Sequence, residues 1–339
     1  MVRTVDIINK FPSQEKEFSF TKMEELSVPS RDHKLKTVKE LYEGARENLF
    51  KILQLAKDKE GFSIHSINSM IPYVNDFVSH LQTEDAPLIP LVYREGKEDD
   101  IGMHIVVHSL NTAIVAIRIG IGLKFGNDKL KKLAMLAFFH DVGMIMVPAE
   151  ILQKNGKLTP KEVSILRKHP EYGYNIMRET NRIYENLANE IYQEHERVDG
   201  SGYPKGLKKG EISENSIIIG ISDIYTSLVS PRYHRPRCLP FEAVKEIIAT
   251  SKEQFPQRFI RGLINEFSVF PQGIYVRLNS GEVGRVIATK RFAPLRPVVE
   301  ILYDAEGQRM QSPKIVDMVK DNILQITSAF FEEEEPNLR

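Results

Sequence analysis

Five of the nine histidines fall in one stretch, at His104, His108, His140, His169 and His195, with carboxylates beside or between them. In order the stretch reads His108, His140-Asp141, His169-Pro170, Glu194-His195-Glu196-Arg197, Gly202-Tyr203-Pro204 and Asp223. Two divalent metals held close together need about six protein nitrogens and oxygens from several elements, with positions left for water and substrate. These residues supply that number. An adjacent His-Asp pair gives one ion an imidazole, while the carboxylate has a second oxygen free to bridge to another. Bridged ions lower the pKa of the water between them and steady the charge that builds on a phosphate oxygen during in-line attack. The chemistry implied is metal-dependent cleavage of a phosphodiester. No cysteine stands in the set, which excludes a thiolate zinc site and leaves Fe, Mn, Zn or Mg.

Helices must deliver most of these groups. His104 and His108 are four apart on an expected helix, so both imidazoles face one side. A helix over Lys129 to Phe139 places His140-Asp141 at its C-terminal end, where the chain turns through Gly143. Thr159-Pro160-Lys161-Glu162 reads as a helix start with a capping box, and that helix ends before His169, because Pro170 disfavours helical geometry in the residue ahead of it. Glu185 to Arg197 is expected as a helix delivering Glu194 and His195. Ser216 to Ser230 is another, with Asp223 at its middle among apolar neighbours, where a carboxylate needs a partner.

The flanks are plainer. Apolar residues at helical spacing predict helices over Leu35 to Lys57 and near Ile67 to Leu81, and Thr83 to Asp100 reads as a connector. Alternating residues predict strands at Ile274 to Leu278, Val283 to Thr289 and Val298 to Tyr303, with a turn at Asn279-Ser280-Gly281. Glu332 to Glu335 reads as a solvated acidic tip. The fold class is therefore mainly α. Three parts are expected: a helical N-terminal region over 1–95, a catalytic helical bundle over 96–270, and a small β-rich extension over 271–339. The N-terminal part reads as a scaffold or dimerisation region rather than a small-molecule sensor, with a homodimer left open.

Lys+Arg and Asp+Glu both number 46, so the formal charge is zero and no basic field points to a nucleic-acid polymer or an anionic membrane. The single Cys238 excludes an internal disulfide framework and fits a reducing, cytoplasmic compartment. The apolar stretch Leu110 to Phe125 is interrupted by Arg118 and Lys124 and reads as a buried helix, not a membrane span.

At Asp99 to Phe267 the ordered motifs resemble the HD-GYP family of bacterial cyclic di-GMP phosphodiesterases, a branch of the HD-domain metallohydrolases. The connecting runs Val147 to Leu152 and Asp199 to Leu207 belong to the match. The resemblance implies an HD-domain helical bundle and two or three bound divalent metals, Fe preferred and Mn next. It implies ligands among His108, His140, Asp141, His169, Glu194, His195 and Asp223. His104 stands where some members use an additional ligand for a third metal; its other reading is a helix-packing residue. Asp141 and Glu194 would be catalytic. Gly202, Tyr203 and Pro204 would shape the pocket, Gly202 by adopting a backbone conformation closed to other residues, and Arg232 and Arg235 would hold substrate phosphates and bases. The expected reaction opens cyclic di-GMP to pGpG, with GMP as a further product, through a metal-bridging hydroxide.

Three positions depart from the family pattern. Met144 replaces a lysine expected beside the scissile phosphate, Glu194 replaces the first histidine of a pair, and Thr226 replaces a carboxylate. They keep open a rival reading, a weak or inactive protein acting as a cyclic di-GMP receptor or protein-interaction module. A third reading keeps hydrolysis but changes the substrate to another cyclic dinucleotide or a phosphomonoester.

Overall fold

The structure, a computed structural model, describes residues 37–58, 62–83, 86, 88–93, 100–154, 156–230, 238–267, 269–290 and 293–331. The expectations for Arg232, Arg235 and Glu332 to Glu335 lie outside these residues.

The first helix, α1 (Val38–Asp58), buries Leu41, Ala45, Leu49 and Ile52, one stripe at three- and four-residue spacing. The helix expected near Ile67 to Leu81 is two: α2 (Ile64–Asn68), then α3 (Ile71–Gln82), which carries a proline in its first turn. A short 3-10 turn, Ile89–Tyr93, lies inside the expected connector.

The centre of the bundle is α4 (Ile101–Gly122), started by Asp100, whose side chain accepts from the Met103 backbone N–H. It packs against α1, α3, α5 (Asn127–Phe139), α10 (Glu214–Val229) and α12 (Gln257–Glu266). By length and composition α4 is apolar enough to cross a membrane, but most of it is buried inside this protein. Its Arg118 is buried as well. Arg118 donates to the Leu81 carbonyl at 2.7 Å and to Glu266 Oε2 at 2.6 Å, joining α3, α4 and α12. Removing one partner of a buried pair takes away part of what compensates the other charge. Glu266→Ala is therefore expected to destabilise the fold by about 3 kcal/mol, read as a lowered denaturation midpoint; an unchanged midpoint would show that Arg118 finds water or another acceptor.

Between α5 and α10 come the 3-10 turn Val142–Met146, α6 (Ala149–Leu152), α7 (Pro160–Leu166), α8 (His169–Thr180), a further 3-10 turn at Arg182–Tyr184 and α9 (Glu185–Tyr192). The capping box at α7 is present: Thr159 Oγ1 accepts from the Glu162 N–H, and Glu162 Oε2 accepts from the Thr159 N–H. Helix α7 does stop ahead of His169, and Pro170 then stands in the first turn of α8, a helix not expected from the sequence. The helix expected over Glu185 to Arg197 ends at Tyr192, so Glu194 and His195 sit on a turn and not within the helix. It ends there because the following loop docks back, with the His195 carbonyl accepting from the Tyr203 N–H and the Glu196 carboxylate from Lys205 and Leu207.

After α11 (Pro240–Ser251) and α12, the chain forms one antiparallel sheet: β1 (Tyr275–Leu278), β2 (Val283–Ala288), β3 (Val298–Tyr303), β4 (Arg309–Asp317) and β5 (Ile326–Phe330), in the order β4-β3-β2-β1-β5. The β1–β2 turn uses Gly281 at φ +90°, where a side chain would be strained. The sheet encloses its own small core of Val276, Leu278, Val286, Val299 and Ile301. The chain is thus mainly helical with a small C-terminal sheet. That sheet runs two strands further than the three expected.

Candidate metal centre

Seven of the expected ligands come together in two adjacent groups. Asp141, His169, Glu194 and His195 form one, and His108, His140 and Asp223 the other; within each group the candidate ligand atoms lie within 4.8 Å of one another. Asp141 lies between them. Its Oδ2 stands 3.4 Å from His140 Nε2 and 3.9 Å from His108 Nε2, while its Oδ1 stands 3.6 Å from His169 Nε2. His108 Nε2 is 2.9 Å from Asp223 Oδ1, His169 Nε2 is 3.2 Å from Glu194 Oε1, and the Nε2 atoms of His169 and His195 are 2.9 Å apart. His104, one turn before His108 on α4, belongs to neither group.

Backbone carbonyls orient two of the imidazoles. His140 Nδ1 donates to the Ala137 carbonyl and His169 Nδ1 to the Leu166 carbonyl, each at 2.8 Å. Each carbonyl lies three residues back at a helix end, so an ordinary unpaired helix terminus fixes the tautomer and leaves the Nε2 lone pair facing the centre. The charge balance is set by burial. Desolvation pushes the Glu194 carboxyl well above its usual range. Desolvation and repulsion from His169 hold His195 down to about 3, a neutral imidazole. Burial also acts to raise Asp141 and Asp223, but the surrounding histidines outweigh it and keep both carboxyls low.

A cation fits this donor set. His140 Nε2 and both carboxyl oxygens of Glu194 are buried with no hydrogen-bond partner, and orphaned polar atoms of this kind are costly unless something satisfies them. The imidazoles offer nitrogen donors and the aspartates offer anionic oxygens, a mixed set suited to Fe, Mn or Zn.

The Gly202-Tyr203-Pro204 loop reaches the centre. The Tyr203 ring stacks on His195, with centroids 4.7 Å apart and planes at 17°. Gly202 does not take the positive φ expected of it; Gly200 at +82° and Gly206 at +65° do so instead. Gly202 is needed for space, because a Cβ there would stand 2.4 Å from the Arg197 nitrogen and 2.5 Å from the His195 carbonyl oxygen. Arg197, whose guanidinium donates to the carbonyls of Glu194 and Glu196, braces the same turn from the other side.

The departures have different local consequences. Thr226 is fully buried and its hydroxyl donates to the Ser222 carbonyl at 2.6 Å, so it is tied to its own helix. Met144 packs partly buried against the helical core and brings no charge. Sequence reasoning also passed over Arg167, whose guanidinium lies 4.9 Å from the centroid of the Tyr203 ring. Its nearness in sequence to His169 was the only signal available.

Residues 98–257 match the HD domain family, and residues 275–338 match the KOW domain associated with HD domain. A cyclic di-GMP phosphodiesterase, PdeB, of Borreliella burgdorferi is 26% identical over 220 residues, covering 65% of this chain and 56% of that protein. A cyclic di-GMP phosphodiesterase of Thermotoga maritima is 38% identical over 127 residues, 37% of this chain and 34% of that one. A 3′3′-cGAMP-specific phosphodiesterase of Vibrio cholerae is 33% identical over 132 residues, 39% of this chain and 25% of its own. The chain spans about half the length of the curated relatives it matches first, 56% and 51%. Among solved structures, a HDG"Y"P protein from Bdellovibrio bacteriovorus shares the fold at a TM-score of 0.56 and 17% identity, over 72% of this chain and 76% of that one.

Proposed function

We propose, for a chain that belongs to the HD-domain phosphodiesterases, that its reaction is metal-dependent hydrolysis of cyclic di-GMP to pGpG, with GMP as a further product. One observation carries the reading: two groups of imidazole and carboxylate share Asp141 between them, with orphaned ligand atoms at His140 and Glu194. His108, His140 and Asp223 would hold one divalent cation, His169, Glu194 and His195 the other, and Asp141 both. Iron is preferred and manganese next. When bound, such ions supply Lewis acidity and acidify a coordinated water.

The chain's own part is positioning and proton handling. Carbonyl-locked His140 and His169 keep their Nε2 atoms fixed while substrate enters. Tyr203, stacked on His195, and Gly202 and Pro204 beside it form the wall against which a base would lie. Arg232 and Arg235 remain the proposed partners of substrate phosphate and base. The leaving 3′-oxygen needs a proton; water at the cations, or Glu194 where it is not holding a cation, would supply it. A third cation using His104 is the alternative stoichiometry, decided by metal counting at saturation.

The receptor reading rests on Met144, which brings no positive charge beside the centre. Both readings are tested on protein purified without oxygen, loaded with Fe or Mn and given cyclic di-GMP and 3′3′-cGAMP in parallel. Release of pGpG from cyclic di-GMP is the expected result. Full metal loading and tight nucleotide binding without turnover would establish the receptor instead, and preference for the mixed dinucleotide would move the substrate.

A further inference from the structure

We infer that Arg167 is a substrate-binding residue that holds the second, non-reacting phosphate of a cyclic dinucleotide. The inference rests on the reading above, because it needs a substrate with two phosphates. Arg167 caps the C-terminus of α7, and only Lys168 separates it from His169; the Leu166 carbonyl just before it holds the His169 imidazole. Arg167 is exposed. Among the described residues it makes no ion pair, and its guanidinium has one contact, the face of Tyr203 at 4.9 Å from the ring centroid. Tyr203 in turn stacks on His195.

The arrangement is a fixed cation one aromatic ring away from a metal-ligand histidine. A guanidinium resting on an aromatic face keeps its in-plane N–H groups free, and those groups fork onto phosphate oxygens. Stacking also removes much of the side-chain freedom that binding would otherwise have to restrict, so the charge is held ready. A cyclic dinucleotide with one phosphate at the metal centre must present its other phosphate outside it, and an unpaired arginine at the rim is a fitting partner. A substrate with a single phosphate would leave Arg167 unused.

The test is Arg167→Met, which keeps an unbranched side chain over Tyr203 without the charge, with Arg167→Lys beside it. Metal per chain, binding by calorimetry and steady-state kinetics are measured with cyclic di-GMP, and kinetics with bis(4-nitrophenyl) phosphate, a one-phosphate diester. The expected result is a rise of about tenfold in Kd and KM for cyclic di-GMP, with kcat and metal content held. Arg167→Lys should fall between, and the salt dependence of binding should become shallower. An unchanged Kd would overturn the assignment. So would equal losses on both substrates, or loss of metal, which would mark Arg167 as a brace for Tyr203 and His169. Unsubstituted protein that turns over the small diester but neither binds nor cuts the dinucleotide would overturn the substrate reading itself, and this assignment with it.

Discussion

Asp141→Ala is expected to lower turnover by at least about 10³-fold and to strip metal from both groups of candidate ligands. No other residue of the centre is expected to do this alone, because Asp141 is the only described carboxylate facing both groups: Oδ2 turns to His108 and His140, Oδ1 to His169. Without it, two imidazoles and Asp223 remain near one position, and His169, Glu194 and His195 near the other, with nothing shared between them. The fold should survive, since Asp141 is partly exposed and its partners are imidazoles, which unlike the arginine beside Glu266 can shed a proton. The signature is therefore a protein with ordinary metal-free stability that no longer gains stability when metal is added, because ligand binding to the folded state is what raises it. Asp141→Asn, which keeps the shape and one neutral oxygen, should retain some metal and little turnover. Turnover of Asp141→Ala within tenfold of the unsubstituted protein would show that the centre does not depend on a shared carboxylate.

Gly143→Ala disrupts the site from behind and should cost more than about 4 kcal/mol. A Cβ at this position would stand 2.0 Å from the His169 carbonyl oxygen and 2.4 Å from the Gly173 nitrogen, both backbone atoms. The turn Val142–Met146, directly after His140-Asp141, rests on the first turn of α8, directly after His169. A methyl group between them must push the two ligand-bearing segments apart, and neither can yield by turning a side chain. Gly143 has no positive φ, so the requirement is one of space and not of backbone freedom. Gly173 makes a useful control. A Cβ there meets mainly the Ile191 side chain at 3.0 Å, which can move, so Gly173→Ala should cost no more than about 1–2 kcal/mol. Thermal denaturation with and without metal compares the two. Near-wild-type stability and metal binding in Gly143→Ala would mean that the contact between these segments is looser than the structure shows.

Part of this architecture was legible residue by residue. Thr159 and Glu162 start α7 as read, since a capping box is contained in four residues. The helices expected over Lys129 to Phe139 and Ser216 to Ser230 match α5 and α10 within two residues at each end, and His108 stands on a helix, α4, as expected. The failures were places where one local signal has two meanings. Pro170 signals a stop, and it does follow the end of α7, but proline is equally at home in the first turn of a new helix, which α8 is. The periodicity of α9 continues past Tyr192, but the chain leaves the helix because loop 196–207 docks its backbone on Glu196 and on the His195 carbonyl. Strand β4, with Pro313 and mostly exposed residues, lies at the edge of the sheet and shows little alternation to read.

By itself the sequence determined which chemical groups were present, in what order, and on which helices or turns most of them would be carried. Those are consequences of side-chain chemistry and of interactions spanning a few residues. Only the tertiary structure decided that seven of the groups divide into two sets around Asp141, that His104 falls in neither, and that Tyr203 lies on His195 with Arg167 over it. Those contacts join segments up to 115 residues apart, as His108 and Asp223 are. They follow from how helices pack on α4, and the periodicity of a helix states which face is buried, not which neighbour covers it.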